Sequence, residues 1–237
     1  METTAETTVK DPGLLTRYFG VLVSPRDTYA AVARRPRWIG IMAITLAINA
    51  ASYYVMFSSE EMQDAMYAQA TARGNMSDQQ LNAIETFLPR LPAIIVGFIL
   101  VAGPIFAAIT AGILMLIFST LMGGSATFKQ VYSTVAHAAV VSSLSGVISA
   151  ALILAGAMAN GTSPPGANLA VFVPTLDETS FMVKLLGAID LILVWWLFSL
   201  SIGLAVLYKR RTGGIAFSLL CVYAVIAVII AFVRSGS

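Results

Sequence analysis

A handful of side chains in this chain could do chemistry against an apolar background. The first is Asp190, which interrupts the stretch Lys184–Tyr208 (KLLGAIDLILVWWLFSLSIGLAVLY). That stretch is otherwise apolar over about 20 residues, the length an α-helix needs to cross a ~30 Å hydrocarbon core. A carboxylate at such a depth could hold a proton or a cation, its neutral form favoured by burial. The structural alternative is an acid hydrogen-bonded at a helix crossing, since buried polar groups are normally paired. Its position in the outer half of the span points to a partner near Ser145 or Ser149. Ser142, Ser145 and Ser149 recur at i, i+3 and i+7, a hydroxyl stripe that reads as helix–helix glue at about 0.6 kcal/mol per bond, or else as a permeation path. His137 lies about 12 residues, or roughly 18 Å, from the depth of Asp190, so a direct pair is not expected. With no second histidine and no carboxylate one turn on, His137 reads as a satisfied packing residue and no metal site is expected.

Other chemistry is excluded by what is missing. The chain has no H-E-x-x-H, G-x-S-x-G, kinase set, P-loop or Rossmann fingerprint, so neither catalysis nor a cofactor is expected. Intramembrane aspartyl chemistry needs two carboxylates, and only Asp190 lies within a span. At 58% hydrophobic and 11% charged residues, the 237-residue chain falls far from the ~25% charge of soluble domains. A net charge of +2 gives no reason to expect a nucleic-acid partner. The single cysteine, Cys221, reads as a packed thiol. No cleavable signal peptide is apparent, so the first span is expected to serve as an uncleaved insertion signal.

The elements that must position these residues form an all-α, polytopic transmembrane bundle of about five spans, in one membrane domain over residues 38–233. The spans are expected near 38–57, 91–122, 131–159, 184–208 and 215–233, gathered around the fourth. Residues 1–13 read as a disordered tail. Residues 14–37 read as a cytoplasmic amphipathic segment of two short helices lying in the interface. Leu14, Leu15, Tyr18, Phe19 and Leu22 share one face of the first. Ser24-Pro25 with Asp27 starts the second. In the polar outer loop Ser58–Arg90, Gly74-Asn75 marks a break, and Ser77 with Gln80 forms a capping box ahead of an amphipathic helix. Gly103-Pro104 predicts a kink in the over-long second span. Ala107/Ala111 and Ala108/Gly112 repeat small-xxx-small spacing. Ser199 and Gly203 offer small surfaces for packing beside the tandem Trp195 and Trp196. The outer loop 160–183, with Pro164-Pro165-Gly166 and Asp177-Glu178, reads as an ordered loop or short re-entrant cap.

Basic residues set the orientation. Lys10, Arg17, Arg26, Arg34, Arg35, Arg37, Lys129, Lys209, Arg210 and Arg211 collect on one side, against Arg73, Arg90, Lys184 and Arg234 on the other. The reading is an amino terminus in the cytoplasm and a carboxyl terminus outside. Arg34, Arg35, Arg37, Lys209, Arg210 and Arg211 would then contact the inner leaflet.

Three stretches together carry a resemblance. Leu22-x-Ser24-Pro25-x-x-Thr28-Tyr29 precedes the first span. Phe128-Lys129-Gln130-Val131-Tyr132-x-x-Val135-Ala136-His137 opens the third, and Asp190-x-x-x-x-Trp195 with Gly203-Leu204-Ala205 lies in the fourth. They resemble the Yip family, multi-pass proteins named for eukaryotic members that bind Ypt/Rab GTPases, and here its bacterial branch. The resemblance implies a five-span bundle with a cytoplasmic amino terminus in a bacterial inner membrane. The function expected is a non-enzymatic membrane-organising or protein-interaction factor. The alternative is a small transporter, channel or lipid-handling protein built on Asp190. Expected partners are membrane lipids, other membrane proteins or a second copy of the chain.

Overall fold

The computed structural model describes residues 11–72, 74, 76–156, 168–173, 175–177 and 180–235. Of the tail expected over residues 1–13, residues 1–10 lie outside the described residues, as do the loop residues Pro164, Pro165, Gly166 and Glu178. Among the described residues the architecture is all-α, with five helical stretches long and apolar enough to cross a membrane. Two short helices come first, α1 (Leu14–Val23) and α2 (Pro25–Arg34). Pro25 occupies the first helical position of α2 with Asp27 in its first turn, although the Ser24 hydroxyl makes no capping bond. The first span is α3 (Ile39–Ser58). A polar hairpin follows, α4 (Glu60–Thr71) and α5 (Asp78–Phe87), and the expected Ser77/Gln80 capping box is formed in full. Tyr67 Oη donates to Glu85 Oε1 across the hairpin at 3.4 Å.

The second span is α6 (Leu91–Met115), which runs through Pro104 as unbroken α-helix. Departure from α geometry comes later, in a π-helical run Leu116–Leu121 closed by Met122 N–H to the Ile117 carbonyl. This departure lies about three turns beyond Gly103-Pro104, where the sequence predicts a kink. The turn Gly123–Ala126 leads into α7 (Phe128–Leu154), whose start is fixed by a second capping box of Thr127 with Gln130. The long stretch predicted as one span from Lys184 is two helices, α8 (Phe181–Gly187) and α9 (Leu191–Tyr208), separated at Ala188–Asp190. Helix α10 (Thr212–Ser235) completes the bundle.

The centre of the bundle is α7 rather than the predicted fourth span. In its most apolar window 44% of residues are buried, against 33% for α9. One core cluster joins Met42, Ala107, Ala111, Leu114, Val131, Val135, Leu200, Leu204 and Ile215. A second joins Tyr18, Val21, Tyr29, Ile41, Val140 and Val141, and Trp196 packs against both.

One end of the bundle is identified by its contacts. Gln130 Nε2 donates to the Ala33 carbonyl, and Trp38 meets Tyr132 edge-on at 4.9 Å. Ser119 and Tyr208 share a hydroxyl bond of 2.9 Å, and Arg210 Nη2 donates to the Met122 carbonyl. At this basic end the chain passes within van der Waals limits of Gly124. A Cβ there would lie 2.5 Å from the Tyr208 ring and 2.7 Å from the Phe118 carbonyl oxygen. The ring could shift, but the backbone oxygen of a packed helix cannot. Gly124→Ala is therefore expected to destabilise the protein by about 1–3 kcal/mol, measured as a fall in thermal unfolding temperature in detergent with Gly123→Ala as the comparison for loop strain.

Candidate functional site

The site begins with the amino-terminal helices, which do not lie on lipid alone. Helix α1 turns Arg17, Tyr18, Gly20 and Val21 into the bundle and leaves Leu14, Leu15, Phe19 and Val23 exposed. The apolar face read from the sequence is thus mostly the outward one, and the buried face is mixed. Helix α2 buries Thr28, Tyr29, Ala31 and Val32. The physical reason is room: Gly20 lets α2 close on α1, because a Cβ there would sit 2.3 Å from Thr28 Oγ1.

Two tyrosines tie this pair of helices to the spans. Tyr29 shares a 2.8 Å hydroxyl bond with Ser199, and Tyr18 a 2.9 Å bond with Ser143. The Tyr29 ring fills the space opposite Gly203, where a Cβ would meet it at 2.9 Å and the Thr134 methyl at 2.5 Å. Burial raises the Tyr29 hydroxyl above its ordinary range, the Ser199 bond opposing only in part. Arg17 is 2% exposed. Its Nε donates to the Pro12 carbonyl and its Nη1 to the Arg35 carbonyl, while Nη2 has no partner among the described residues. Burial, with Arg37 and Arg35 nearby, lowers its affinity for the proton, and Asp11 opposes that. A guanidinium starts so high that it stays charged.

The next buried polar group is His137, on α7. It is fully buried, with Nδ1 2.7 Å from the Ser133 carbonyl. A carbonyl only accepts, so the proton sits on Nδ1. Nε2 has no partner, and neither does the buried Ser133 hydroxyl one turn away. Among the described residues no three His, Cys, Asp or Glu side chains gather as metal ligands would.

The predicted polar focus at Asp190 is not inside a span. Asp190 is the N-cap of α9, its carboxylate accepting from Leu193 N–H at 2.9 Å. Its own N–H donates to the Tyr223 hydroxyl, which in turn donates to the Ala188 carbonyl. The partner is therefore α10 and the local backbone, not Ser145 or Ser149. An aspartate just ahead of an apolar run is a helix start signal, and averaging the run as one helix hides it. The serine stripe is also corrected. Ser142 is exposed and donates to the Ala139 carbonyl of its own helix, while Ser145 and Ser149 are half-buried. The serine that joins helices is Ser143, some 100° round from Ser142. Ala107 and Ala111 pack in the core, and Gly103 faces Leu46, whose Cδ2 would lie 2.7 Å from an added Cβ. Pro104 is half-buried, and its carbonyl accepts from the Tyr132 hydroxyl at 3.4 Å. Cys221 is exposed on α10 rather than packed. Arg34, Arg35, Arg37, Lys209, Arg210 and Arg211 are all exposed near the basic end.

Sequence reasoning missed Arg17, Tyr18, Tyr29, Ser133 and Ser143. An arginine inside an otherwise apolar helix was the available signal. The family model for the Yip1 domain matches residues 19–234. The chain belongs to the Yip1 domain family. No curated protein and no solved structure matches it. In this Yip1-domain protein the three stretches that carried the resemblance meet at one junction. Tyr29 comes from the first, Thr134 lies within the second, and Gly203 belongs to the third.

Two outcomes test this geometry. The unfolded-state tyrosine ionises near pH 10, and the buried Tyr29 ionises higher. The stability it contributes is present below pH ~10 and is lost as pH rises beyond that point. Tyr29→Phe should lower stability by about 1 kcal/mol at neutral pH and flatten the alkaline loss, read from unfolding curves at stepped pH. Asp190→Ala should cost about 0.5–2 kcal/mol through loss of the cap, whereas Asp190→Asn should be nearly neutral because asparagine caps as well.

Proposed function

We propose that this protein is a non-catalytic membrane-organising or protein-interaction factor of a bacterial inner membrane. In this reading the basic end faces the cytoplasm and presents α1 and α2 to the inner leaflet and to partner proteins. The carboxyl terminus lies on the far side. The observation that carries it is the junction of Tyr29, Thr134 and Gly203, which spends the chain's most specific packing on holding α1 and α2 against α7 and α9. The exposed basic residues around that end support contact with anionic headgroups. Below Lys209, Arg210 and Arg211, a pocket of about 580 Å³ is walled by Ile117, Phe118 and Ile215. It suits a lipid whose phosphate meets the cations while its chain meets the apolar wall.

The rival reading, a transporter working through Asp190, has less support because that carboxylate is occupied in capping α9. The two separate in proteoliposomes. Deleting residues 1–36, or changing Arg34, Arg35 and Arg37 to Gln together, should reduce capture of anionic vesicles or of cross-linked partner proteins several-fold. Asp190→Asn should leave proton, ion and lipid flux at the wild-type level. Unchanged capture after the deletion removes the proposal, and flux abolished by Asp190→Asn in a folded protein establishes the rival.

A further inference from the structure

A groove of about 440 Å³ opens between α3, α6, α7 and α9, in the size range of small-molecule sites. Its wall holds hydrogen-bonding groups where hydrocarbon would be expected. Thr45 and Asn49 lie six and ten residues into α3, or roughly 9 and 15 Å along its axis, and Thr110 faces them from α6. Thr45 is 2% exposed, and its Oγ1 has no hydrogen-bond partner. A carboxamide and hydroxyls left unpaired at that depth are costly, so the groove is poorly suited to plain acyl chains.

The lining also says what the occupant is not. Among the described residues no Asp, Glu, Lys, Arg or His borders the groove, so nothing there pairs with a charged head. The ester groups of glycerolipids stay at the interface with their heads. Asn49 and Thr110 can each donate to an uncharged acceptor such as a carbonyl, and the rings of Phe106 and Trp196 offer flat surfaces beside them. A flat, uncharged ring bearing carbonyl groups on a hydrocarbon tail meets each of these conditions.

We infer that this groove binds a lipid quinone, its ring between α3 and α6 with a carbonyl accepting from Asn49 or Thr110, and its tail leaving sideways into the bilayer. The groove is distinct from the α1–α2 junction and from the basic-end pocket, so the proposal stands apart from the function argued above. It concerns binding alone and requires no electron transfer.

The test is a titration of delipidated protein in detergent with decylubiquinone, followed by quenching of tryptophan fluorescence. Saturable quenching is expected, lost in large part in Trp196→Phe. The double variant Asn49→Leu/Thr110→Val should weaken the dissociation constant about tenfold, the worth of one good hydrogen bond. Its thermal stability should be unchanged or higher, since unpaired polar groups have been removed. Thr110→Val alone gives a second reading if the double variant unfolds. Quenching that rises linearly with quinone, an affinity indifferent to these variants, or equal displacement by hexadecane or diacylglycerol would overturn the assignment.

Discussion

The constraint behind this structure is that hydrocarbon offers no partner to a polar group, so the protein must supply one from within. The bond between Tyr29 and Ser199 meets that demand across 170 positions of sequence. Neither hydroxyl could face lipid cheaply, and each is satisfied only while α2 lies against α9. A second bond, Tyr18 to Ser143, imposes the same condition on α1 and α7. Two modest bonds therefore fix the relation of the amino-terminal pair to the spans.

Around those bonds the apolar packing falls into place. Gly203 leaves the space that the Tyr29 ring fills, and the Thr134 methyl closes it from α7. Arg17 continues the theme by giving two of its donors to main-chain carbonyls at Pro12 and Arg35. Those bonds stitch the start of α1 to the end of α2. Among the described residues, the buried polar atoms left without a partner are Arg17 Nη2 on α1, Thr45 Oγ1 on α3, and Ser133 Oγ and His137 Nε2 on α7. The amino-terminal pair thus brings a buried cation against the spans, which a loose interfacial helix would leave in water.

Much of the fold was legible because hydropathy over some 20 residues responds to length and composition alone. All five apolar stretches were found, and the capping box at Ser77 and Gln80 was read from spacing because both partners lie within one turn. The site was far less legible. Asp190 was placed inside a helix because an average over Lys184–Tyr208 cannot tell one helix from two that meet at a cap. The serine that matters, Ser143, sits beside three that form a better pattern. Tyr29 finds its partner in another span, and no local periodicity encodes such a pairing. Periodicity places Leu14, Leu15 and Phe19 on one face of α1 without saying what that face meets, and it does not mark Arg17, Tyr18 and Gly20 as the residues that turn into the bundle.

The break before Asp190 also sets a dimension. Helix α9 has 18 residues and is roughly 27 Å long, while the neighbouring α7 has 27 residues and reaches roughly 40 Å. The nine residues by which α9 falls short amount to about two and a half turns. The chain ahead of the break is a separate helix, α8, with its own cap at Ser180. What hydropathy reads as one long rod is therefore two short ones, each started by its own side chain.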